Sequence, residues 1–173
     1  MSWFGLKTGK AALYETMVRA YSADMFRFAF WLCRDKSMAE DLVQETCLRA
    51  WKNWHNLNNV KATRQWLFTI LRREHARLYQ ASKLNFIDVE SEELESLLHY
   101  DDMPVVELND GLEKLPLSYR EPLLLQVLGG FSCGEIAVIV QTTEAAVMTR
   151  VSRARRMLRE IMDDDEKGQE KLK

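Results

Sequence analysis

Helix-breaking residues are scarce in this chain, which has three prolines and seven glycines among its 173 residues. Apolar residues instead recur every three or four positions over long stretches, a pattern that favours helices over strands joined by tight turns. The length allows one or two small domains, each with a modest core. We therefore expect an all-α protein with one or two small helical domains.

Long apolar runs are also missing. None approaches the roughly 20 residues that a membrane-spanning helix requires, and the longest, such as residues 28–33, is typical of a buried helix strip. Residues 1–7 lack the apolar core of a secretory signal peptide. These features predict a cytoplasmic protein.

Residues that hold metals or carry out catalysis are few. The cysteine count is odd and includes no C-x-x-C pair, and the histidines are too scattered for a metal site. A Gly-rich phosphate loop and a nucleophile–base pair are missing as well. We therefore expect reduced thiols, no catalytic residue, no metal, no cofactor and no small-molecule substrate. The residues concerned are Cys33, Cys47, Cys133, His55, His75 and His99.

Charge is distributed unevenly, although the net charge is only −2. Residues 1–81 carry 13 basic and 7 acidic side chains, residues 112–162 carry 7 and 5, and residues 82–111 carry one lysine against nine acids. Two basic blocks around an acidic segment are typical of two nucleic-acid-facing domains. We expect domains at 1–81 and 112–162, a flexible acidic linker at 82–111, and a charged tail at 163–173 that frays.

Hydrophobic periodicity predicts the positions of the helices. A serine followed three residues later by a glutamate, the capping-box pattern, marks three of the helix starts, with Ser37, Ser118 and Ser132 as the capping residues. A Gly-Gly pair at 129–130 is expected to end one helix. The predicted helices cover residues 11–33, 38–54, 64–81, 119–128, 136–140 and a stretch that follows Thr143.

The segment from residue 132 to residue 159 has the pattern of a helix-turn-helix motif. After the first short helix, Gln141 and Thr142 form a tight break, and Thr143 caps a second helix. Five arginines with no acid among them lie between residues 150 and 159. They favour a DNA-reading face over the alternative, an amphipathic helix whose arginines are merely solvated. The buried stripe of the second helix is predicted to contain Val147, Val151, Ala154, Leu158 and Ile161.

The predicted helix 38–54 carries a polar face. Asp41 and Glu45 lie one turn apart beside Gln44, and together they could dock a basic partner helix. The alternative is that Glu45 pairs with Arg49 along the helix, a stabilisation of about 0.3–0.5 kcal/mol.

The predicted helix 64–81 carries a basic face. Arg72, Arg73 and Arg77 cluster there with Trp66 interleaved, and cations beside aromatic rings suit single-stranded nucleic acid. Taken alone, Trp66 is better explained as a core aromatic. The core side of this helix is predicted to contain Leu67, Leu71 and Leu78.

Three segments together resemble the bacterial extracytoplasmic-function (ECF, group IV) sigma factors of RNA polymerase. They are AEDLVQETCLRAW at 39–51, RQWLFTILRR at 64–73, and LEKLPLSYREPLLLQVLGGFSCGEIAVIVQTTEAAVMTRVSRARRMLR at 112–159. The resemblance implies an N-terminal sigma-2-like bundle and a C-terminal sigma-4-like helix-turn-helix domain. It also implies the function of an alternative sigma factor, which binds core RNA polymerase and directs promoter-specific initiation.

The resemblance also implies partners and site residues. The partners are core polymerase, through its β′ coiled coil and β flap, promoter DNA, and an anti-sigma factor such as a membrane-anchored one. The implied core-binding residues are Asp41, Gln44, Glu45 and Arg49. The implied −10 residues, at a loop that takes up a flipped base and along the helix after it, are Leu57, Asn58, Asn59, Lys61, Trp66, Arg72, Arg73 and Arg77. For the −35 element, the implied base-edge residues are Thr149, Ser152 and Arg153, and the implied phosphate-binding residues are Arg150, Arg155 and Arg156.

The chain departs from the family pattern at four places. Gln141-Thr142-Thr143 replaces a glycine-containing turn, and Met148 replaces a frequent lysine or arginine. Arg72-Arg73 stands where an asparagine is frequent, and Leu57 replaces a frequent aromatic. Because of these differences, the promoter sequence that the chain recognises does not follow from the family pattern.

Two other classes of protein explain parts of the sequence. A free-standing helix-turn-helix regulator explains residues 132–159 but leaves the first block unused. A helical adaptor explains the face with Asp41 and Glu45 and the linker, and it would show no salt-dependent DNA affinity.

Overall fold

The fold is all-helical over the residues that the computed structural model describes, which are 3–54, 57, 59, 62–84 and 111–170. No strand occurs in these ranges, and none of their helices is both long and apolar enough to cross a membrane. The chain divides into two compact units, Met1–Asp88 and Val89–Lys173. The longer helices are α1 (Trp3–Cys33), α2 (Lys36–Lys52), α3 (Thr63–Leu84), α4 (Leu117–Val127), α5 (Cys133–Val140) and α6 (Glu144–Glu170), and residues 111–114 are helical as well.

The first unit is a bundle in which α1, α2 and α3 each pack against the other two. At its centre, Phe28 of α1 contacts Phe68 of α3, with ring centroids 5.5 Å apart. Thr46 is fully buried, and its hydroxyl donates a 2.7 Å hydrogen bond to the Leu42 carbonyl, so the core contains this polar group without an unpaired donor. Further core side chains are Met25, Ala29, Ala39, Leu67 and Leu71.

In the second unit, α4 and α5 both pack against α6. The predicted Gly-Gly end of α4 is confirmed. A Cβ at Gly129 would lie 2.4 Å from the Leu125 carbonyl oxygen, so no other residue fits there, and Gly130 has a positive φ of 61°. The core side chains include Leu115, Leu123, Leu125, Ile136, Ile139, Val147 and Ala154.

The predicted start of α2 is wrong. The helix begins at Lys36, because Asp35 and not Ser37 is its N-cap, and the Asp35 carboxylate accepts a 2.6 Å hydrogen bond from the Met38 amide. An aspartate caps a helix as well as a serine does, so the earlier residue takes this role.

The predicted capping box at the start of α4 is also wrong. The N-cap is Pro116, which supplies no side-chain hydrogen bond, and its carbonyl accepts bonds from the amides of Tyr119 and Arg120. The Glu121 side chain is buried. Because Pro116 is the N-cap, Ser118 already lies inside the helix and cannot be its capping residue.

Four helices are longer than predicted, α3 and α5 by a few residues and α1 and α6 by more. α1 begins at Trp3 instead of Ala11, and α6 continues to Glu170 through the tail that was expected to fray. Extending an existing helix costs much less than nucleating one, so weak helix formers at its ends can still be helical. The predicted linker falls mainly on residues 85–110, outside the described residues.

Candidate protein- and nucleic-acid-binding surfaces

A groove of about 360 Å³ lies between α2 and α3 in the first unit. Three of the predicted core-binding residues line it, and two exposed leucines, Leu48 and Leu78, lie beside them. Leu78 was predicted to face the core, and this prediction is wrong. This groove, named the docking groove after the core-binding role predicted for three of its residues, is lined by Asp41, Gln44, Glu45, Leu48, Glu74, Arg77 and Leu78.

A line of alternating charges connects α2 to α3 along the docking groove. Arg49 Nε lies 2.8 Å from Glu45 Oε1 and 2.8 Å from Glu74 Oε1. On the other side of Glu74, Oε2 lies 2.8 Å from Arg77 Nη2. The Glu45–Arg49 pair considered from the sequence is therefore present, and Arg49 is held inside the unit by two carboxylates.

The predicted −10 residues do not all lie together. Arg77 lines the docking groove, next to the predicted core-binding residues, whereas Arg73 is exposed and has no partner within the described ranges. Arg72 is half-buried, and Leu57 and Asn59 belong to the segment before α3. Asn58 and Lys61 lie outside the described residues.

Aromatic rings from α1, α2 and α3 form a cluster beside that segment. Trp66 is half-buried, with its ring centroid 6.3 Å from that of Trp54, in agreement with its interpretation as a core aromatic. Tyr14 contacts Trp54 and also Trp51, which is exposed. The Tyr14 hydroxyl donates a 2.6 Å hydrogen bond to the Cys47 carbonyl, and burial is the largest cause that raises the pKa of Tyr14 to about 12.

The helix-turn-helix prediction is confirmed by its capping contacts. The Ser132 hydroxyl accepts a hydrogen bond from the Glu135 amide, and the Glu135 carboxylate accepts one of 2.9 Å from the Ser132 amide. Gln141 supplies the turn with φ 55° and ψ 54°, the left-handed conformation that glycine usually takes. Thr143 then accepts a 3.2 Å hydrogen bond from the Ala146 amide at the start of α6.

The recognition helix, α6, has the two faces that the sequence predicted. Val147, Val151 and Ala154 are buried, and Leu158 and Ile161 are half-buried. All six predicted −35 residues lie on the opposite side or at its edges. Of these, Thr149, Ser152, Arg153, Arg155 and Arg156 are exposed and Arg150 is half-buried.

Two grooves follow this polar face. One, of about 490 Å³, is lined by Ser118 and Tyr119 of α4 together with Thr149, Arg150 and Arg153 of the recognition helix. Arg150 and Arg153 form no ion pair in the described part of the chain. The other, of about 350 Å³, contains Met148, Ser152 and Arg155 with Gln126 and Cys133. Cationic side chains such as Arg150 and Arg153, on a helix of this type, suit phosphates and base edges.

Each of the two units matches a known family model. The family models for Sigma-70 region 2 and Sigma-70 region 4 match residues 17–83 and 106–158. The ECF RNA polymerase sigma factor EcfG of Rhodopseudomonas palustris is 32% identical over 139 residues, which cover 78% of this chain and 77% of that protein. The chain is an ECF sigma factor. As such, it binds core RNA polymerase and directs promoter-specific transcription initiation.

Other relatives of this sigma factor cover nearly its whole length. The RNA polymerase sigma factor SigV of Bacillus subtilis is 28% identical over 149 residues, which are 86% of this chain and 90% of that protein. The solved structure of RpoE in complex with the anti-sigma factor NepR from Bartonella quintana is also similar. It has a TM-score of 0.66 and 26% identity, and it covers 92% of this chain and 97% of that one.

The thiols of this sigma factor are free and half-buried. Burial, and secondarily the charge of Asp35, raises the pKa of the Cys33 thiol to about 11. Burial likewise raises the pKa of Cys47. Within the described ranges, no three metal-ligating side chains come together, and His75 is buried on α3. His55 and His99 lie outside those ranges.

Sequence reasoning missed three residues of the docking groove: Leu48, Glu74 and Leu78. A usable signal was present, because Gln44 and Leu48, and likewise Glu74 and Leu78, lie four residues apart and so share a helix face. What the sequence does not show is that these two faces belong to neighbouring helices.

Proposed function

We propose that this sigma factor binds core polymerase through the docking groove. The observation that supports the proposal is that exposed polar side chains without a partner in the described ranges lie next to an exposed apolar side chain. Asp41 and Gln44 are exposed and have no partner in the described part of the chain, and Leu48 lies exposed beside them. A helix that presents a cation to Asp41 and apolar side chains to Leu48 would bind tightly and in one orientation. The β′ coiled coil is the part of core polymerase that the family resemblance assigns to this surface.

The remaining residues of the first unit are proposed to act on the −10 element. Arg73 would approach the DNA backbone, and Arg72 and Trp66 would lie behind the loop of Leu57 and Asn59 that takes up a flipped base. The cost of unstacking a base, a few kcal/mol, must come from binding, because a transcription initiation factor of this kind brings no energy source of its own.

The recognition helix is proposed to lie in the major groove of the −35 element, with the β flap of core polymerase holding this unit in place. Thr149, Ser152 and Arg153 would meet base edges. Arg150, Arg155 and Arg156 would bind phosphates. The functional domains on this view are residues 1–81 and 112–162, joined by the acidic segment 82–111, with 163–173 as a tail.

An anti-sigma factor is the proposed regulator. The support is the similarity to RpoE, which was solved in complex with NepR, at 26% identity and over 92% of this chain. A protein that covers the docking groove and the recognition helix would block both functions at once. The site of action is proposed to be the cytoplasm, where core polymerase and the chromosome are, and no catalytic step is assigned to the chain.

The test of the docking groove is charge reversal at one exposed residue. Asp41→Lys should weaken the affinity for purified core polymerase, measured without DNA by fluorescence anisotropy of the labelled protein, by about tenfold or more. Glu15→Lys is the matched control, because Glu15 is also an exposed carboxylate residue and lies on α1 outside the groove. It should change the affinity by less than about twofold. Equal affinities for Asp41→Lys and the parent would refute the proposed docking site.

A further inference from the structure

Glu74 is a buried acid at the base of the docking groove, with only 5% of its surface exposed. Each of its carboxylate oxygens has an arginine partner. Oε1 lies 2.8 Å from Arg49 Nε, and Oε2 lies 2.8 Å from Arg77 Nη2 and 3.0 Å from Arg77 Nε. A carboxylate removed from water needs such pairing, because an unpaired buried charge is strongly destabilising.

The contact with Glu74 also fixes the direction of Arg77. Two nitrogens of the guanidinium meet one carboxylate oxygen, so both the position and the plane of the group are restricted. The Arg77 side chain nevertheless remains 59% exposed and lines the groove. One edge of the guanidinium is therefore held by Glu74, and the rest is accessible to a partner.

The charges around Arg77 are unfavourable for DNA. Asp41, Glu45 and Glu74 line the same groove, so a DNA strand that approached Arg77 would bring several neighbouring phosphates close to three carboxylates, which a single acidic side chain on a helix that also carries a cation would not do. Arg73, by contrast, is exposed, is not among the groove residues, and has no partner within the described ranges. The two arginines occupy the same helix but different electrostatic surroundings.

We propose that Arg77 contacts core polymerase and not promoter DNA, and that Glu74 is the positioning residue that aims it. The inference rests on the proposed function of the docking groove. The occupant is a helix of the polymerase with three matching features: an acidic side chain or a free carbonyl opposite Arg77, a cation opposite Asp41, and apolar side chains against Leu48 and Leu78. This pattern would also fix the orientation of the helix, since Asp41 and Arg77 attract opposite charges.

The test compares Arg77→Gln with Arg73→Gln in two assays on the full-length protein. In the first, the affinity for core polymerase is measured without DNA as a function of salt. Arg77→Gln should weaken it about fivefold or more and reduce its salt dependence, and Arg73→Gln should leave it within about twofold. In the second, promoter opening is followed at core concentrations that saturate each variant. Arg73→Gln should then reduce opening, and Arg77→Gln should not.

The role of Glu74 is tested by a double-mutant cycle. Glu74→Gln should lower core affinity in the same direction as Arg77→Gln, and the double variant should be no weaker than the worse single one. Asp24→Asn is the control, because Asp24 also joins two helices of this unit, through a 3.0 Å ion pair with Arg64, but lies outside the groove. It should lower the melting temperature and leave core affinity unchanged.

Two results would overturn the inference. One is a loss of promoter opening by Arg77→Gln at saturating core, which would show that Arg77 contacts promoter DNA. The other is an unchanged core affinity of Arg77→Gln. If Asp41→Lys still abolishes core binding in that case, only the role of Arg77 is wrong. If Asp41→Lys also leaves the core affinity unchanged, the docking groove is not the core-binding site.

Discussion

The side-chain carbonyl of Gln126 accepts a 2.8 Å hydrogen bond from the guanidinium of Arg155. The bond joins the end of α4 to the exposed side of the recognition helix. The Gln126 amide nitrogen lies at hydrogen-bond distance, 3.7 Å, from the sulfur of Cys133, so the glutamine is itself held at both ends. Arg155 is exposed, and this contact restricts its direction before any DNA arrives.

We expect Gln126 to contribute to DNA affinity only through Arg155. Arg155→Ala should weaken holoenzyme binding to a −35 duplex by about tenfold and reduce the salt slope by about one. Gln126→Ala should weaken it by about two- to fivefold, because an unrestrained arginine loses more side-chain entropy on binding. Titrations at several salt concentrations measure both effects. If Gln126→Ala weakens binding further in a protein that already carries Arg155→Ala, then Gln126 acts on DNA directly.

The left-handed turn residue of the helix-turn-helix is expected to be strained. Gln141 has φ 55°, where a side chain costs about 1 kcal/mol or more relative to glycine. Gln141→Gly should therefore stabilise the protein by about 0.5–1 kcal/mol in urea unfolding of the second unit. Gln141→Ala is the control, since it keeps the Cβ, and it should give no gain. A glycine variant less stable than the parent would show that the glutamine side chain makes a compensating contact.

The stability of the protein should fall at alkaline pH because of Cys33. Its pKa is raised to about 11 in the folded state by burial and, secondarily, by Asp35. The unfolded thiol ionises at about 8.5. Below that pH both states are protonated and stability is unaffected, whereas between the two values the unfolded state loses the proton first, so rising pH favours unfolding. Cys33→Ala should flatten this part of the curve measured by urea unfolding. An equally steep decline in the variant would assign it to other groups.

Local patterns in the sequence predicted the helix-turn-helix well. The capping box at Ser132 and the stripe of Val147, Val151 and Ala154 depend on residues within one or two turns, so the chain around them determines the outcome. The same reasoning failed where a neighbouring side chain had already taken the role, as Asp35 did at the start of α2.

Contacts between helices set the limit of the prediction. Arg77 was grouped with Arg72 and Arg73 because all three share one helix, but its partner Glu74 is also paired with Arg49 of α2. That contact turns Arg77 toward the docking groove. Likewise Leu78 was expected in the core, and it is instead exposed and lines the docking groove. Periodicity shows which residues share a face and does not show which helix lies against that face.

In-vitro transcription shows in one experiment whether this chain both binds core polymerase and selects promoters. Purified bacterial core polymerase would be given a pooled promoter library with the parent protein, with Asp41→Lys or with no addition. We expect discrete new transcripts with the parent only, and their aligned start sites should share sequences at −10 and −35. Transcripts at the same sites without the protein, or no new transcripts from a folded protein that binds core, would contradict this expectation.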